Sequence, residues 1–223
     1  GARRVARRQR LRNDRNGDGG MNIEWIVIRG SGLVAFGLVA ASTIWGLIVS
    51  TKLFGRAFKA KPLTWFHESL GLGALIATGV HMVALTMDRY IEFGWVDVLV
   101  PGAASWEPTA VALGVTSFYG LAVVTLSFYV KVLIGQKVWR AIHFLAFGTF
   151  AGALVHGILA GTDTTNPIVT GLYAGAGVLV VGLLIVRIVL QRGTTADSPR
   201  TRTSAPRGRA TEPSAAVSVG SGD

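Results

Sequence analysis

Two stretches of the chain decide its fold: LTWFHESLGLGALIATGVHMVAL at residues 63–85 and WRAIHFLAFGTFAGALVHGILAG at residues 139–161. Each is apolar and long enough to cross a hydrocarbon core, which takes roughly 20 helical residues. Together they hold all four histidines of the chain: His67, His81, His143 and His156. A titratable side chain is costly at bilayer depth and is a candidate for function there, and imidazole is a common metal ligand. The layout suggests two metal centres stacked across a membrane.

The composition is that of an integral membrane protein. Hydrophobic residues make up 50% of the 223 residues and charged residues only 15%, and the apolar residues fall into five blocks. Proline begins three of these blocks, where a helix tolerates it because the first N–H groups have no partner within the helix. We therefore predict an all-α membrane protein with five transmembrane helices in one bundle, at about 25–50, 63–87, 108–134, 138–161 and 168–190.

The chain has no cysteine. This excludes iron–sulfur clusters, thiolate metal sites, disulfides and covalent c-type haem, and it leaves histidine as the main soft ligand. The net charge is +10, but most of the positive charge lies in the two tails and in short loops between the apolar blocks. Basic residues in those places are typical of membrane topology. We expect a lipid bilayer, and no nucleic acid, as the partner.

The distribution of basic residues orients the five helices. Lysine and arginine are concentrated in the first loop, in the third loop and from Arg187 onwards, whereas the second loop is acidic on balance and the fourth carries only Asp163. Basic loops stay on the cytoplasmic side of a membrane. We therefore expect a multi-pass protein of the cell membrane, in particular a bacterial plasma membrane. Its C-terminus is then cytoplasmic, and its first helix begins outside.

Residues 1–20 do not fit this orientation, because they hold seven arginines against two aspartates and would resist export. We expect translation to begin naturally at Met21, directly before the first apolar block, and the basic extension to be disordered or not native. A signal peptide is the alternative, although the apolar run to Ser50 is long for one. Residues 21–191 then form the transmembrane domain. Residues 192–223, rich in Ala, Ser, Thr, Pro and Arg, indicate a disordered cytoplasmic tail.

The second and fourth helices are separated by two crossings and therefore run parallel. His67 and His143, which we call the inner pair, then share the cytoplasmic depth, and His81 and His156, the outer pair, share the external depth. At 1.5 Å per residue, the 14-residue step from His67 to His81 spans about 21 Å. A planar macrocycle held between the facing imidazoles of each pair satisfies both ligands and fills the gap between the helices.

The fourth helix meets this geometry less easily than the second. Its histidines are separated by a 13-residue step, which turns the second of them roughly 140° away from the first. A straight, uniform helix does not easily serve both sites, and a bend at Gly148 or Gly152 would help. Some glycines can also clear room for porphyrin faces, although small residues are equally expected at helix contacts without a cofactor. These candidates are Gly71, Gly73, Gly79, Gly148, Gly152 and Gly157.

Two parallel helices whose histidines stand at i, i+14 in one and at i, i+13 in the other, as in the two quoted stretches, resemble the haem-binding core of the ferric reductase-like transmembrane superfamily. This superfamily includes ferric reductases, NADPH oxidases and the haem-bearing membrane subunit of bacterial methionine sulfoxide reductase. The resemblance covers roughly residues 22–191, and the shorter of the two steps is itself part of the family pattern. It implies two b-type haems whose irons take His67, His81, His143 and His156 as axial ligands.

The resemblance also implies a haem-dependent membrane oxidoreductase that transfers electrons across the membrane. Larger family members append flavin and nicotinamide domains, whereas about 32 residues follow the last apolar block here, without the glycine-rich fingerprint of a dinucleotide fold. We therefore expect no intrinsic flavin or NAD(P)H site, and a separate flavoprotein or a quinol as the electron donor. Ferric iron, oxygen or a partner protein can serve as the acceptor.

Two arginines are candidates to bind haem propionates. Arg29, inside the first apolar block, can pair bidentately with an outer propionate; snorkelling to the interface is the alternative. Arg140, together with Lys61, can serve the inner propionates, although anchoring at the cytoplasmic face is favoured for both. Glu68, beside His67, is interpreted as an acid stabilised by the helix dipole rather than as a ligand-tuning or proton-carrying group.

Two other functions are open at this point. A transporter would use the histidines to relay protons or divalent metal ions, and it would favour more acids within the helices than Glu68 alone. A haem-carrying membrane anchor would hold the same haems while all catalysis lies in a partner subunit. A transporter would show no haem absorption, whereas an electron-transfer protein would. A haem-carrying anchor would show haem absorption but would not reduce an acceptor when a donor is supplied.

Overall fold

The computed structural model of the chain describes residues 23–51, 60–87 and 91–196. In chain order its helices are α1 (Ile23–Thr51), α2 (Ala60–Thr86), α3 (Trp95–Leu99), α4 (Pro108–Ala160) and α5 (Pro167–Ala196). These described residues contain no strand, which confirms the predicted all-α class. All the helices except the short α3 are long and apolar enough to cross a membrane.

Helix α4 is too long for a single crossing. Its 53 residues would measure about 80 Å as a straight helix, against a hydrocarbon core of about 30 Å. Gly135, with φ 79° and ψ 156°, has a non-helical backbone inside α4. Glycine adopts this conformation readily, whereas any residue with a Cβ atom is strained there. Gly135 thus divides α4 into a first arm, residues 108–134, and a second arm, residues 136–160.

The two arms of α4 fold back on each other as an antiparallel hairpin. A Cβ atom added to Gly120 of the first arm would lie 2.5 Å from the hydroxyl of Thr149 in the second arm. Nearer the open end, His156 Nδ1 lies 2.7 Å from the carbonyl oxygen of Ala110. The sequence predicted two helices here with a basic loop between them, and in the structure a single glycine takes the place of that loop.

Helices α1 and α2 form another antiparallel hairpin. Near the end of α1, the indole Nε1–H of Trp45 donates to the carbonyl oxygen of Leu63, close to the start of α2, at 3.0 Å. At the opposite end of the hairpin, His81 Nδ1 lies 3.0 Å from the carbonyl oxygen of Ile28. The two histidines of α2 therefore lie near opposite ends of α1.

The core joins the two hairpins midway between the inner and outer histidines. Phe36 of α1 stacks on Phe150 of the second arm, with ring centroids 6.1 Å apart. The same ring meets Tyr173 of α5 edge-on at 4.7 Å. Ala74 of α2 lies halfway between His67 and His81 in sequence and is fully buried. This layer of apolar side chains ties α1, α2, α4 and α5 together.

The outward faces of the long helices are apolar as well. Large hydrophobic side chains are exposed along them, including Val132 at 88%, Ile168 at 80% and Val178 at 74%. Soluble monomers rarely expose continuous apolar surface of this extent. The exterior is therefore compatible with a multi-pass membrane protein.

Between α2 and α4 the chain forms a packed connection that the sequence did not predict. It contains α3, a helix of five residues. Phe93, Val98 and Ala104 of the connection are buried against Val111 and Val115 of the first arm. The connection therefore covers the end of the bundle at which the outer histidines lie.

Some predictions fall on parts of the chain outside the described residues. They are the 1–20 extension, most of the basic first loop and the segment after residue 196. The basic residues in these parts support the predicted orientation through the sequence alone. Helix α5 continues to Ala196. The beginning of the predicted 192–223 tail, up to that residue, is therefore helical.

Replacing Gly135 by alanine should weaken the fold. The positive φ angle becomes strained by about 1–3 kcal/mol once a Cβ atom is present. Gly148→Ala in the second arm is the matched control, because nothing in the described part of the chain lies within 4 Å of its added Cβ and alanine favours the helix. Unfolding curves in detergent should show a lower free energy of unfolding for Gly135→Ala and an unchanged or higher one for Gly148→Ala. Equal stability of the two variants would contradict a glycine-dependent turn.

Candidate functional site

The inner histidines face each other across the bundle. His67 comes from α2 and His143 from the second arm of α4, and their ring centroids are 5.9 Å apart with planes at 82°. Two imidazoles that coordinate one metal ion from opposite sides, through bonds of about 2 Å, place their centroids roughly 6 Å apart. The separation of the inner pair therefore fits two axial ligands of one metal centre.

The outer histidines share a cavity. His81 of α2 and His156 of the second arm both line a space of about 500 Å³, which lies within the usual range of ligand pockets. Its walls are mainly apolar and come from α1, α2, α5 and both arms of α4, with aromatic contributions from Phe36, Trp106 and Tyr173. The cavity offers a large flat ligand apolar walls and two imidazoles.

Backbone carbonyl groups orient both outer histidines. The Nδ1–H of His81 donates to the Ile28 carbonyl oxygen at 3.0 Å, and that of His156 donates to the Ala110 carbonyl oxygen at 2.7 Å. A carbonyl oxygen only accepts, so the proton must be on Nδ1 and a lone pair must remain on Nε2 of the neutral ring. Histidines that bind metals are usually held in this way. Both outer rings therefore present Nε2 as a ready ligand.

The inner histidines are held by Ser42, whose backbone also bonds to His67, and by an aromatic ring. Ser42 Oγ lies 3.3 Å from His67 Nδ1. The indole of Trp139, four residues before His143, stacks on that imidazole with centroids 5.1 Å and planes 21° apart. Ser42 thus positions one inner ring, and the face of Trp139 positions the other.

Three of the four imidazoles lie directly against a glycine of the neighbouring helix. A Cβ atom added to these glycines would come within 2.7 to 3.1 Å of the imidazole Cε1 atom, which is closer than ordinary van der Waals contact. The absence of a side chain is therefore what lets the ring approach the helix. The contacts are Gly32 with His81, Gly46 with His67 and Gly114 with His156.

The predicted porphyrin-clearing glycines are not among these three. Gly152 lies against Ser117, Gly157 against Tyr173, and an added Cβ at Gly79 or Gly148 would meet nothing in the described part of the chain within 4 Å. A sequence signal was nevertheless present. Gly32 and Gly46 of α1 are 14 residues apart, and so are His67 and His81 of α2. Equal spacing is expected when residues of two antiparallel helices contact each other in pairs.

The 13-residue step of the second arm needs no break in the helix. Within α4 the non-helical residue is Gly135, and the chain is helical from there to Ala160, so a break at Gly148 or Gly152 is absent. Instead, the rotation between the two histidines gives them different neighbours: His143 faces α2, and His156 bonds to the first arm.

Arg29 lies at the cavity, paired with an acid distant in sequence. Its guanidinium contacts the carboxylate of Asp163, in the turn after α4, and both residues line the outer cavity. The role of Arg29 toward a propionate stays a prediction, and its ion pair with Asp163 is a finding that sequence spacing did not indicate.

The other predicted polar residues lie at the inner end. Arg140 is exposed, between Trp139 and His143 on the second arm, and Glu68 is half-buried beside His67. The side chain of Lys61 lies outside the described residues. Their predicted roles remain predictions.

Gly114→Ala should displace the His156 ring, because the new Cβ would lie 2.7 Å from its Cε1 atom. Loss of the hydrogen bond to Ala110 should lower the free energy of unfolding by about 1–3 kcal/mol. Gly79→Ala is the control, since nothing described lies within 4 Å of its added Cβ. Denaturation of both variants in detergent tests this, and a Gly114→Ala variant as stable as the control would refute the close contact.

Comparison with known proteins adds no family to this description. No family model matches the chain, and neither a curated protein nor a solved structure matches it. The resemblance to the ferric reductase-like superfamily therefore depends on the histidine spacing alone.

Proposed function

We propose that this chain is a membrane-embedded b-type cytochrome that transfers electrons through two haems, each ligated by two histidines. His67 and His143 would hold the inner haem, and His81 and His156 the outer haem. The observation that carries the proposal is that the inner histidines face each other and the outer histidines line one cavity. The inner rings are at the separation of two axial ligands, and the outer rings share a cavity with Nδ1 already bonded.

A macrocycle fits these pairs better than a bare metal ion does. A protein site for a bare divalent ion usually supplies three or four ligands. Among the described residues, no three histidine, cysteine, aspartate or glutamate side chains are grouped so that they could hold a metal ion. A porphyrin supplies four nitrogen ligands itself and needs only two from the protein. This argues against the metal-transporter alternative and for haem.

The residues of this chain have distinct roles around such a cofactor. When bound, haem supplies one-electron chemistry at its iron. The carbonyl groups of Ile28 and Ala110 fix the tautomer of the outer ligands and raise their basicity. Arg29, at the outer cavity, would donate to a propionate. Trp106 and the packed connection that contains α3 would limit the access of water to the outer site.

Full axial ligation directs the function toward electron transfer. Two imidazoles per iron leave no open coordination position, so an acceptor would be reduced without binding to the metal. The two sites are about 21 Å apart along α2, which covers most of a hydrocarbon core of about 30 Å. We propose a cytoplasmic flavoprotein or a quinol as the donor, and ferric iron or a partner enzyme as the acceptor.

The purified protein should contain about two haems per chain. His67→Ala should remove the inner haem and His81→Ala the outer one, because each substitution deletes one of two axial ligands. A pyridine haemochrome assay measures the stoichiometry, and the reduced spectrum should show b-type bands of two bis-imidazole centres. Trp65→Phe, at an exposed side chain of α2, is the control and should retain both haems. A stoichiometry that neither histidine variant changes would sink the assignment.

Electron transfer across a membrane is a separate prediction. In sealed vesicles that contain the protein, a reductant trapped inside should reduce an impermeant ferric chelate outside. Each single histidine variant should slow this reaction at least tenfold, since one of the two centres is lost. Two intact haems without transmembrane reduction would instead identify a haem-carrying anchor whose catalysis lies in a partner.

A further inference from the structure

The inner pair is bordered by an indole N–H without an acceptor. Trp139 stacks on His143 with centroids 5.1 Å apart, which leaves the edge of the indole free to bond elsewhere. Its Nε1 atom is buried, and none of the residues that the structure describes accepts a hydrogen bond from it. No other buried side-chain nitrogen or oxygen in that part of the chain lacks a partner.

A buried donor of this kind requires an acceptor. An indole N–H only donates and has no alternative tautomer, and leaving it unbonded in apolar surroundings costs free energy. Trp45 satisfies the same requirement within the protein, because its Nε1–H donates to the Leu63 carbonyl oxygen at 3.0 Å. Buried polar groups without a partner are rare in native proteins, and a bound group is one of their causes.

The position of Trp139 suits an anionic acceptor at the inner site. If His143 holds a haem, the indole that stacks on it would lie beside that cofactor. The neighbourhood is also cationic. Arg140 follows Trp139 in the chain, and the guanidinium of Arg187 lies 5.8 Å from the ring centroid of Phe144, the residue after His143.

We propose that Trp139 donates its indole N–H to a propionate carboxylate of the inner haem, an inference that rests on the function proposed above. The residue then acts twice: its face orients the axial ligand His143, and its edge binds the cofactor. A carboxylate is the acceptor group that haem carries at its rim, and hydrogen bonds to a charged acceptor are stronger than neutral ones.

The test compares the rates at which haem leaves the full-length protein for an excess of a haem-scavenging protein. Trp139→Phe keeps an aromatic ring to stack on His143 and removes only the donor. One of the two phases of haem loss should accelerate about tenfold or more, while the other stays unchanged. Trp65→Phe, whose side chain is 67% exposed in the wild type, should change neither phase. Acceleration of both phases would show a general structural effect and overturn the inference.

Haem with esterified propionates identifies the acceptor. Wild-type protein should lose the dimethyl ester faster than natural haem from the inner site. This difference in rate should shrink about tenfold in Trp139→Phe, because the ester lacks the carboxylate charge that strengthens the bond and the substitution removes the donor of the same bond. An undiminished difference would overturn the inference, because the indole would then bond to something other than a carboxylate.

A third measurement needs no variant to fold. The chain has six tryptophans, and 15N labelling resolves their indole N–H signals in the diamagnetic reduced state. One signal should differ between the protein with natural haem and the protein with the ester; identical spectra would refute the bond. A wild-type chain that binds no haem overturns the proposed function and this inference together. Two haems whose loss is insensitive to Trp139→Phe overturn the inference alone.

Discussion

The contact between an imidazole ring and a glycine is the constraint on which the rest of the arrangement depends. In the contact of Gly114 with His156, even one methyl group would come within 2.7 Å of the ring, so the spacing between the two arms of α4 requires glycine at that position. The same contact recurs in the α1–α2 hairpin at both of its histidines. Two hairpins that differ in sequence therefore hold three of the four histidines in the same way, and His143 alone stacks on an aromatic ring instead.

The glycines also explain how the imidazoles find their hydrogen bonds. In each contact the oxygen that meets Nδ1 belongs to the residue four positions earlier, hence one turn earlier on the same helix face. A side chain at the glycine position would push the ring away from that oxygen, because the added Cβ would meet the imidazole atoms. With Nδ1 bonded, Nε2 is the polar atom of the ring that is left to face the bundle interior, where apolar walls cannot satisfy it. The pairs of glycine and oxygen-bearing residue are Gly32 with Ile28, Gly46 with Ser42 and Gly114 with Ala110.

The sequence was sufficient for the helical class, the helix positions and the matched histidine layout, because these follow from long apolar runs interrupted by prolines and charges. It was insufficient where the result depends on how helices rotate against each other. Asp163 is 134 residues away from Arg29, and no local pattern joins them. Trp139 begins the second quoted stretch, but the sequence did not indicate that its ring stacks on His143. The sequence did not predict the one-residue turn at Gly135. A longer loop at this place would leave the same two apolar blocks on either side, so the sequence pattern is the same in both cases.

The unequal histidine steps of α2 and the second arm follow from the way each hairpin is built. In the first hairpin the step between the histidines is matched by an equal step from Gly32 to Gly46. In the second hairpin only His156 has such a glycine contact, and the shorter step appears as a rotation between its two histidines. That rotation turns the inner ligand toward α2 and leaves the outer ligand anchored to its own hairpin, so the two candidate sites are equivalent in ligand type but not in support.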